Sequence, residues 1–293
     1  MRKSIYFAVL VGFFAVIIAP PGFAQDQPDP ASYVQDIERN RLAQTGMKFL
    51  SVSLDARAAS MADAITAHEH ASSMAMFYNP AALGRVESTV DASAGQVQWI
   101  GNIDYNYATA SYRPGDGLGV VGISVVGVNY GTFQETIAFD NDQGYMDIGT
   151  YSPSGVAVGL GYGRAVSDRF SVGGHIRYVR QSLGNTVFGT TENGYSRRDY
   201  TKGVGAADFG VIYRTGFRSL NFAMSVRNLA PEVTYEEENF ELPLTFRVGV
   251  AMDMLDFTSV DPNMHSLLVS VDAERPRDYS EQIKVGGEYL AFN

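Results

Sequence analysis

In Phe170-Ser171-Val172-Gly173-Gly174-His175-Ile176-Arg177-Tyr178, apolar residues take turns with polar or small ones. One phase carries Phe170, Val172, Ile176 and Tyr178; the other carries Arg169, Ser171, Gly173, His175 and Arg177. A strand shows alternate side chains to opposite faces, so a period of two marks a strand whose faces meet different surroundings. Ser219–Arg227 divides the same way, setting Leu220, Phe222, Met224 and Val226 against Ser219, Asn221, Ala223, Ser225 and Arg227. Everything then turns on which solvent lies on each side.

The same stripe repeats along the chain. Ten strands are expected, at about 88–99, 103–112, 118–129, 154–163, 169–180, 205–213, 219–228, 244–254, 265–274 and 281–290. Their length of roughly nine to twelve residues is what a tilted strand needs to cross a bilayer. Residues 131–152 and 181–204 each offer one further hairpin. The links at 113–117, 164–168 and 214–218 are tight, whereas those at 130–153, 181–204 and 229–243 are long and polar or acidic. Short and long links alternate in this way between periplasmic turns and extracellular loops of a membrane barrel.

Both soluble sandwiches and membrane barrels have one apolar face, so the charges must choose. Arg169, Arg177, Asp208, Arg214, Arg227, Arg247, Asp253, Asp272, Glu274, Lys284 and Glu288 all fall on the non-apolar phase. An Arg or Lys facing lipid at the midplane costs roughly 2–4 kcal/mol, so in a barrel these groups point inward. Gly155, Ala157, Gly159, Gly161 and Gly163 share that phase, a column of small residues that leaves room for something inside. The composition agrees: 30 Gly, 17 Tyr and 17 Phe, with Lys only at 3, 48, 202 and 284. Lys commonly guards the exposed edges of soluble sheets.

The N-terminus supplies the compartment. Met1-Arg2-Lys3, an apolar run from Ile5 to Ala19, and Gly22-Phe23-Ala24 before Gln25 form the pattern of a cleaved secretory signal peptide over 1–24. Residues 25–46 are polar and expected to be a flexible lead-in. Residues 47–84 are the only substantial non-strand block, with short helices expected over Ala56–Ala67 and Ser72–Tyr78 that stop at Asn79-Pro80. Residues 85–293 form the barrel. With no Cys there are no disulfides or thiolate sites. A formal charge of −10 makes nucleic acid an unsuitable partner. Export of such an all-β chain points to the outer membrane of a Gram-negative cell, with its lipid as one partner.

Two segments carry a family resemblance. Asp55-Ala56-Arg57-Ala58-Ala59-Ser60-Met61-Ala62-Asp63-Ala64 and Ala71-Ser72-Ser73-Met74-Ala75-Met76-Phe77-Tyr78-Asn79-Pro80-Ala81-Ala82-Leu83 resemble the N-terminal signature of the PorV/PorQ family. That family belongs to the FadL-like outer-membrane barrels. Val226-Arg227-Asn228-Leu229 and Leu242-Pro243-Leu244-Thr245-Phe246-Arg247 are similar to its strands. The resemblance implies an antiparallel transmembrane β-barrel of about fourteen strands, of which ten to fourteen are readable here, with 47–84 folded inside as a partly helical hatch. It places Arg57, Asn79, Pro80 and Ala81 in that hatch. It also implies a role in type IX secretion, receiving secreted cargo and meeting secretion-machinery proteins. Relatives favour Gly where Ala62 and Ala82 stand, and a pair of Asp where this chain has Glu69-His70.

Chemistry-bearing motifs are few. His68-Glu69-His70 lacks a third ligand at a recognisable spacing, so no metal is expected. Glu236-Glu237-Glu238 reads as an acidic loop. His175 shares its phase with Ser171, but no orienting carboxylate is evident, and a nucleophile needs a positioned base. The expectation is therefore no catalytic residue and no cofactor. The luminal polar face would comprise Arg169, His175, Arg177, Asp208, Arg227, Arg247 and Asp253. Arg57 has Asp208 or Asp253 as possible partners, or solvent. A FadL-like channel for hydrophobic small molecules is the alternative function, and a secreted β-sandwich the alternative class.

Overall fold

The computed structural model describes residues 45–69, 72–115, 117–191, 194–235, 238–261 and 264–291. The leader over 1–24, most of the lead-in, His70, Glu236, Glu237 and the C-terminal pair Phe292-Asn293 lie outside them.

The protein is mostly antiparallel β. One sheet holds ten strands: β1 (Val90–Trp99), β2 (Ile103–Tyr112), β3 (Val120–Asn129), β6 (Ser154–Ala165), β7 (Phe170–Thr191), β8 (Gly194–Arg214), β9 (Asn221–Leu229), β12 (Thr245–Asp253), β13 (His265–Pro276) and β14 (Gln282–Ala291). Each pairs with its neighbours in chain order, which keeps every connection local. Two short hairpins stand apart, β4 (Phe133–Ala138) with β5 (Tyr145–Tyr151), and β10 (Val233–Tyr235) with β11 (Glu238–Phe240). The extra hairpins expected at 131–152 and 181–204 therefore do not enlarge the sheet. The first pairs only with itself, and the second lengthens β7 and β8. The large sheet thus has ten strands rather than fourteen, and its edges β1 and β14 are not paired with each other among the described residues.

Residues 45–86 meet every strand of that sheet on one face. Ser73 bonds to Asp91 of β1 and Thr109 of β2. Met76 packs over Gly122 of β3 and Gly161 of β6, and Pro80 over Gly173 of β7. Asn79 reaches Val211 O of β8 at 3.4 Å, and Tyr78 lies under Arg227 of β9. Arg247 of β12 donates to Asp63 O, Asp272 of β13 accepts from Thr66 N, and Glu288 of β14 pairs with Arg57. A plug of about forty residues can face ten strands only if the sheet curves around it. Its concave side is called the inner face below. The plug also runs from one end of the sheet to the other. Gly46 N donates to Glu241 O in the long link 230–244, and Arg85 Nη2 donates to Ser167 O in the tight turn 166–169.

Little of the plug is regular. Helix α1 is confined to Ala56–Ser60, where Asp55 caps the Arg57 N–H at 2.9 Å. It ends because Ala62 and Asp63 take left-handed φ values of 54° and 59°. The helix expected to run on to Ala67 is thereby cut short. Nor does the chain stop at Asn79-Pro80. Asn79 Oδ1 accepts from Ala81 N at 3.1 Å, Pro80 takes the first helical position, and a 3-10 helix continues over Pro80–Arg85. These turns bury Met47, Phe49, Met61, Met76 and Leu83, the centre of the core. Full burial of such a side chain contributes about 1.5–3 kcal/mol.

A non-Gly residue in the left-handed region costs roughly 1–2 kcal/mol. Ala62 is exposed, so nothing else holds its Cβ in place. Ala62→Gly is expected to raise the unfolding free energy by about 0.5–1 kcal/mol, after allowance for glycine's greater chain entropy. Denaturant midpoints of the two proteins check this; an unchanged or lower midpoint contradicts it.

Candidate functional site: a buried polar network against the plug

The register of the sheet sets inward charges opposite one another. His175 of β7 faces Asp208 of β8, Arg247 of β12 faces Glu274 of β13, and Asp272 of β13 faces Lys284 of β14. Three groups converge on Asp208. Its Oδ1 accepts from Arg177 Nη2 at 2.6 Å and from Asn228 N at 2.7 Å, while Oδ2 meets His175 Nδ1 at 3.1 Å. Arg177 Nη2 also donates to Asn228 Oδ1 at 2.6 Å, and Asn228 Nδ2 to Pro243 O at 2.9 Å. Arg247 donates to Glu274 at 3.2 Å, and Lys284 pairs with the same carboxylate. Charges taken out of water this way are tolerable only when paired and hydrogen-bonded.

His175 Nε2 meets Ser124 Oγ at 2.8 Å. The imidazole thus lies between a hydroxyl and a carboxylate, the order found in acyl-transfer relays. Ser124 is 2 % exposed, and His175 and Asp208 are 1 % exposed. That burial leaves no approach for a substrate carbonyl, and the second oxygen of Asp208 is committed to Arg177 and Asn228. The trio fastens β3, β7 and β8 together.

No family model matches the chain, and no curated protein matches it.

Of the inward residues expected from the sequence, His175, Arg177 and Asp208 form one cluster, with Arg227 and Arg247 next to it on β9 and β12. Arg169 and Asp253 do not belong to this face. Arg169 is exposed in the turn before β7, because the strand begins one residue later at Phe170; its carbonyl accepts from Arg214 N. Asp253 closes β12 and caps the next 3-10 turn, Oδ1 accepting from Leu255 N at 2.8 Å and Leu267 N at 3.2 Å.

The partner of Arg57 is Glu288, neither Asp208 nor Asp253. Arg57 Nε lies 2.7 Å from Glu288 Oε1 and Nη2 2.5 Å from Oε2. Asp208 is enclosed by β7 and β9, out of reach of the plug's first helix. His68 joins this pair, its Nε2 being 3.2 Å from Arg57 Nη2. Glu69 instead binds Arg214.

Asn79, Pro80 and Ala81 seat the plug. Asn79 Nδ2 donates to Thr66 O at 2.8 Å, and Thr66 N donates to Asp272 Oδ2 at 3.0 Å, tying two plug turns to β13. Nearby, the Tyr78 hydroxyl accepts from Asp55 N at 2.9 Å and Leu54 N at 3.2 Å. Burial raises its pKa above the ordinary tyrosine value, keeping it a neutral, fixed acceptor.

Two partners escaped the sequence reading. Ser124 is the one hydroxyl residue in Val120–Asn129, a strand otherwise apolar on both phases apart from its terminal Asn129, which is a usable signal. Asn228 points inward because it has φ 61° beside a register shift in the β8–β9 ladder. Such a bulge leaves no mark in the alternation.

Proposed function

We propose that this chain is a non-catalytic outer-membrane β-barrel of the PorV/PorQ type, plugged by residues 47–84, that serves protein export as an accessory of a type IX-like pathway. The observation carrying the membrane part is the outer face of the sheet. Leu160 is 59 % exposed, Ile176 62 %, Phe209 53 % and Ile283 70 %, and these belong to a continuous apolar surface spanning the strands. Soluble monomers rarely expose more than a few hundred Å² of contiguous apolar surface. Lipid gives this surface a solvent, while His175, Arg177, Asp208, Arg247, Asp272 and Glu274 turn to the other side.

In a bilayer every backbone donor and acceptor must be satisfied within protein, so this reading has β1 and β14 close the sheet. The tight turns at 166–169 and 215–220 then face the periplasm and the long links face outside. The export role rests on the resemblance of the two plug segments to the family signature. A greasy conduit fits less well, since the inner face is charged and packed against the plug.

Heat-modifiable mobility in an outer-membrane fraction is the expected result for the full chain. Release into the aqueous phase after export overturns the membrane assignment. Recovery with an exported cargo protein under mild detergent supports the export role, and isolation without any such protein counts against that role alone.

A further inference from the structure

We propose that the cavity between the plug and strands β9, β12 and β13 is a binding site for a small oxyanion, an organic carboxylate or a phosphate, held by Arg227. This goes beyond the assignment to membrane and export, and stands independently of it. The cavity measures about 240 Å³, and its wall includes Lys48, Leu50, Arg227, Arg247, Pro243 and Tyr279.

The charges around it do not balance locally. Two carboxylates line the wall, Glu274 and Asp278. Glu274 is shared by Arg247 and Lys284, and Asp278 is engaged by Lys48 and by Thr45 Oγ1 at 2.7 Å. Arg227 has no such partner. Among the described residues its guanidinium makes no hydrogen bond or ion pair, its Nε is fully buried, and its Cζ lies 5.9 Å from the centroid of the Tyr78 ring. Arg247 Nε is likewise buried without an acceptor.

A guanidinium offers five donors in a planar fork that suits carboxylate or phosphate oxygens. The outer nitrogens of Arg227, on the cavity wall and without a protein acceptor, are the donors an anion in that space would meet. Leu50, Pro243 and Tyr279 supply an apolar wall, which suits an acid with an organic body. The ligand would touch both plug and strands, so its binding also pins the plug.

The test uses the full chain purified in phosphate-free detergent, with inorganic phosphate and benzoate titrated calorimetrically. Saturable binding of at least one probe is expected, weakened at least about tenfold by Arg227→Gln, the loss that follows when a buried charge partner is removed. The probe that binds tells phosphate from carboxylate recognition. Arg218→Gln, exposed in the 215–220 turn and outside the cavity wall, should leave it unchanged. No saturable binding of either probe, or binding that Arg227→Gln leaves intact, overturns the proposal. Should Arg227→Gln not fold, proteolysis of the unaltered protein decides: the probe anion slows cleavage within 45–86, and cleavage indifferent to both anions overturns it.

Discussion

Gly173→Val is expected to expel the Asn79-Pro80-Ala81 turn from the sheet. A Cβ at position 173 would overlap the Pro80 carbonyl and Ala81 N. These are backbone atoms, unable to swing aside as a side-chain tip does. The turn cannot retreat either, because Asn79 is bonded to Thr66 O and Val211 O, and Gly84 sits against Gly163, where a Cβ would lie 2.5 Å from Gly84 N. Overpacking ordinarily costs about 1–3 kcal/mol where neighbours can repack. Here the cost should reach at least the top of that range, with faster proteolysis inside 45–86. Gly205→Ala is the control, since nothing lies within 4 Å of that added carbon. Equal losses in the two variants would refute steric seating of the plug.

The second large effect belongs to Asp208→Ala. The substitution leaves Arg177 with one acceptor fewer, strips Asn228 N of its acceptor, and leaves His175 with Ser124 alone. Breaking a buried pair from one side typically costs about 3–5 kcal/mol, mostly because the surviving charge is stranded. Arg177→Met combined with Asp208→Leu should recover much of that loss, since an apolar pair strands no charge. A double-mutant cycle on unfolding in detergent measures the difference. A loss below about 1 kcal/mol for Asp208→Ala would place the pair in the class of solvated surface bridges.

The strands were legible because their two faces differ so sharply. Phe170, Ile176 and Tyr178 on one side and His175 and Arg177 on the other specify a phase without any knowledge of neighbours. Register was not legible, since it depends on loop lengths and bulges. That His175 would meet Ser124 and Asp208, 51 and 33 residues away, follows from the pairing of β3 with β6, β6 with β7 and β7 with β8. Arg169 and Asp253 carried the right phase but sit where the ladder starts and stops, and an end residue is free to turn. The plug was the least readable part. Its Ala-rich stretch favours a long helix, yet its backbone follows the surface it lies on, bending at Ala62-Asp63 to bring Ile65 and Thr66 against the sheet. The column of small residues from Gly155 to Gly163 announced that something fills the interior; it could not announce the shape of the filling.

A segment that enters beside the long links and leaves beside the tight turns also constrains how the molecule is made. With β1 and β14 closed on each other, as proposed above, the sheet offers no open side through which such a thread could be passed end to end. The plug must already be present while the sheet bends, and it precedes every strand in the chain, so it is available first. Its decisive contacts are remote nonetheless: Thr66 waits for Asp272, and Arg57 for Glu288, over 200 residues later. Chains whose contacts are that distant in sequence mature slowly and expose unpaired strand edges meanwhile. The interior filling is thus also the former on which the wall is bent, and its last fastening, Arg57 to the final strand, can close only when the whole chain has arrived.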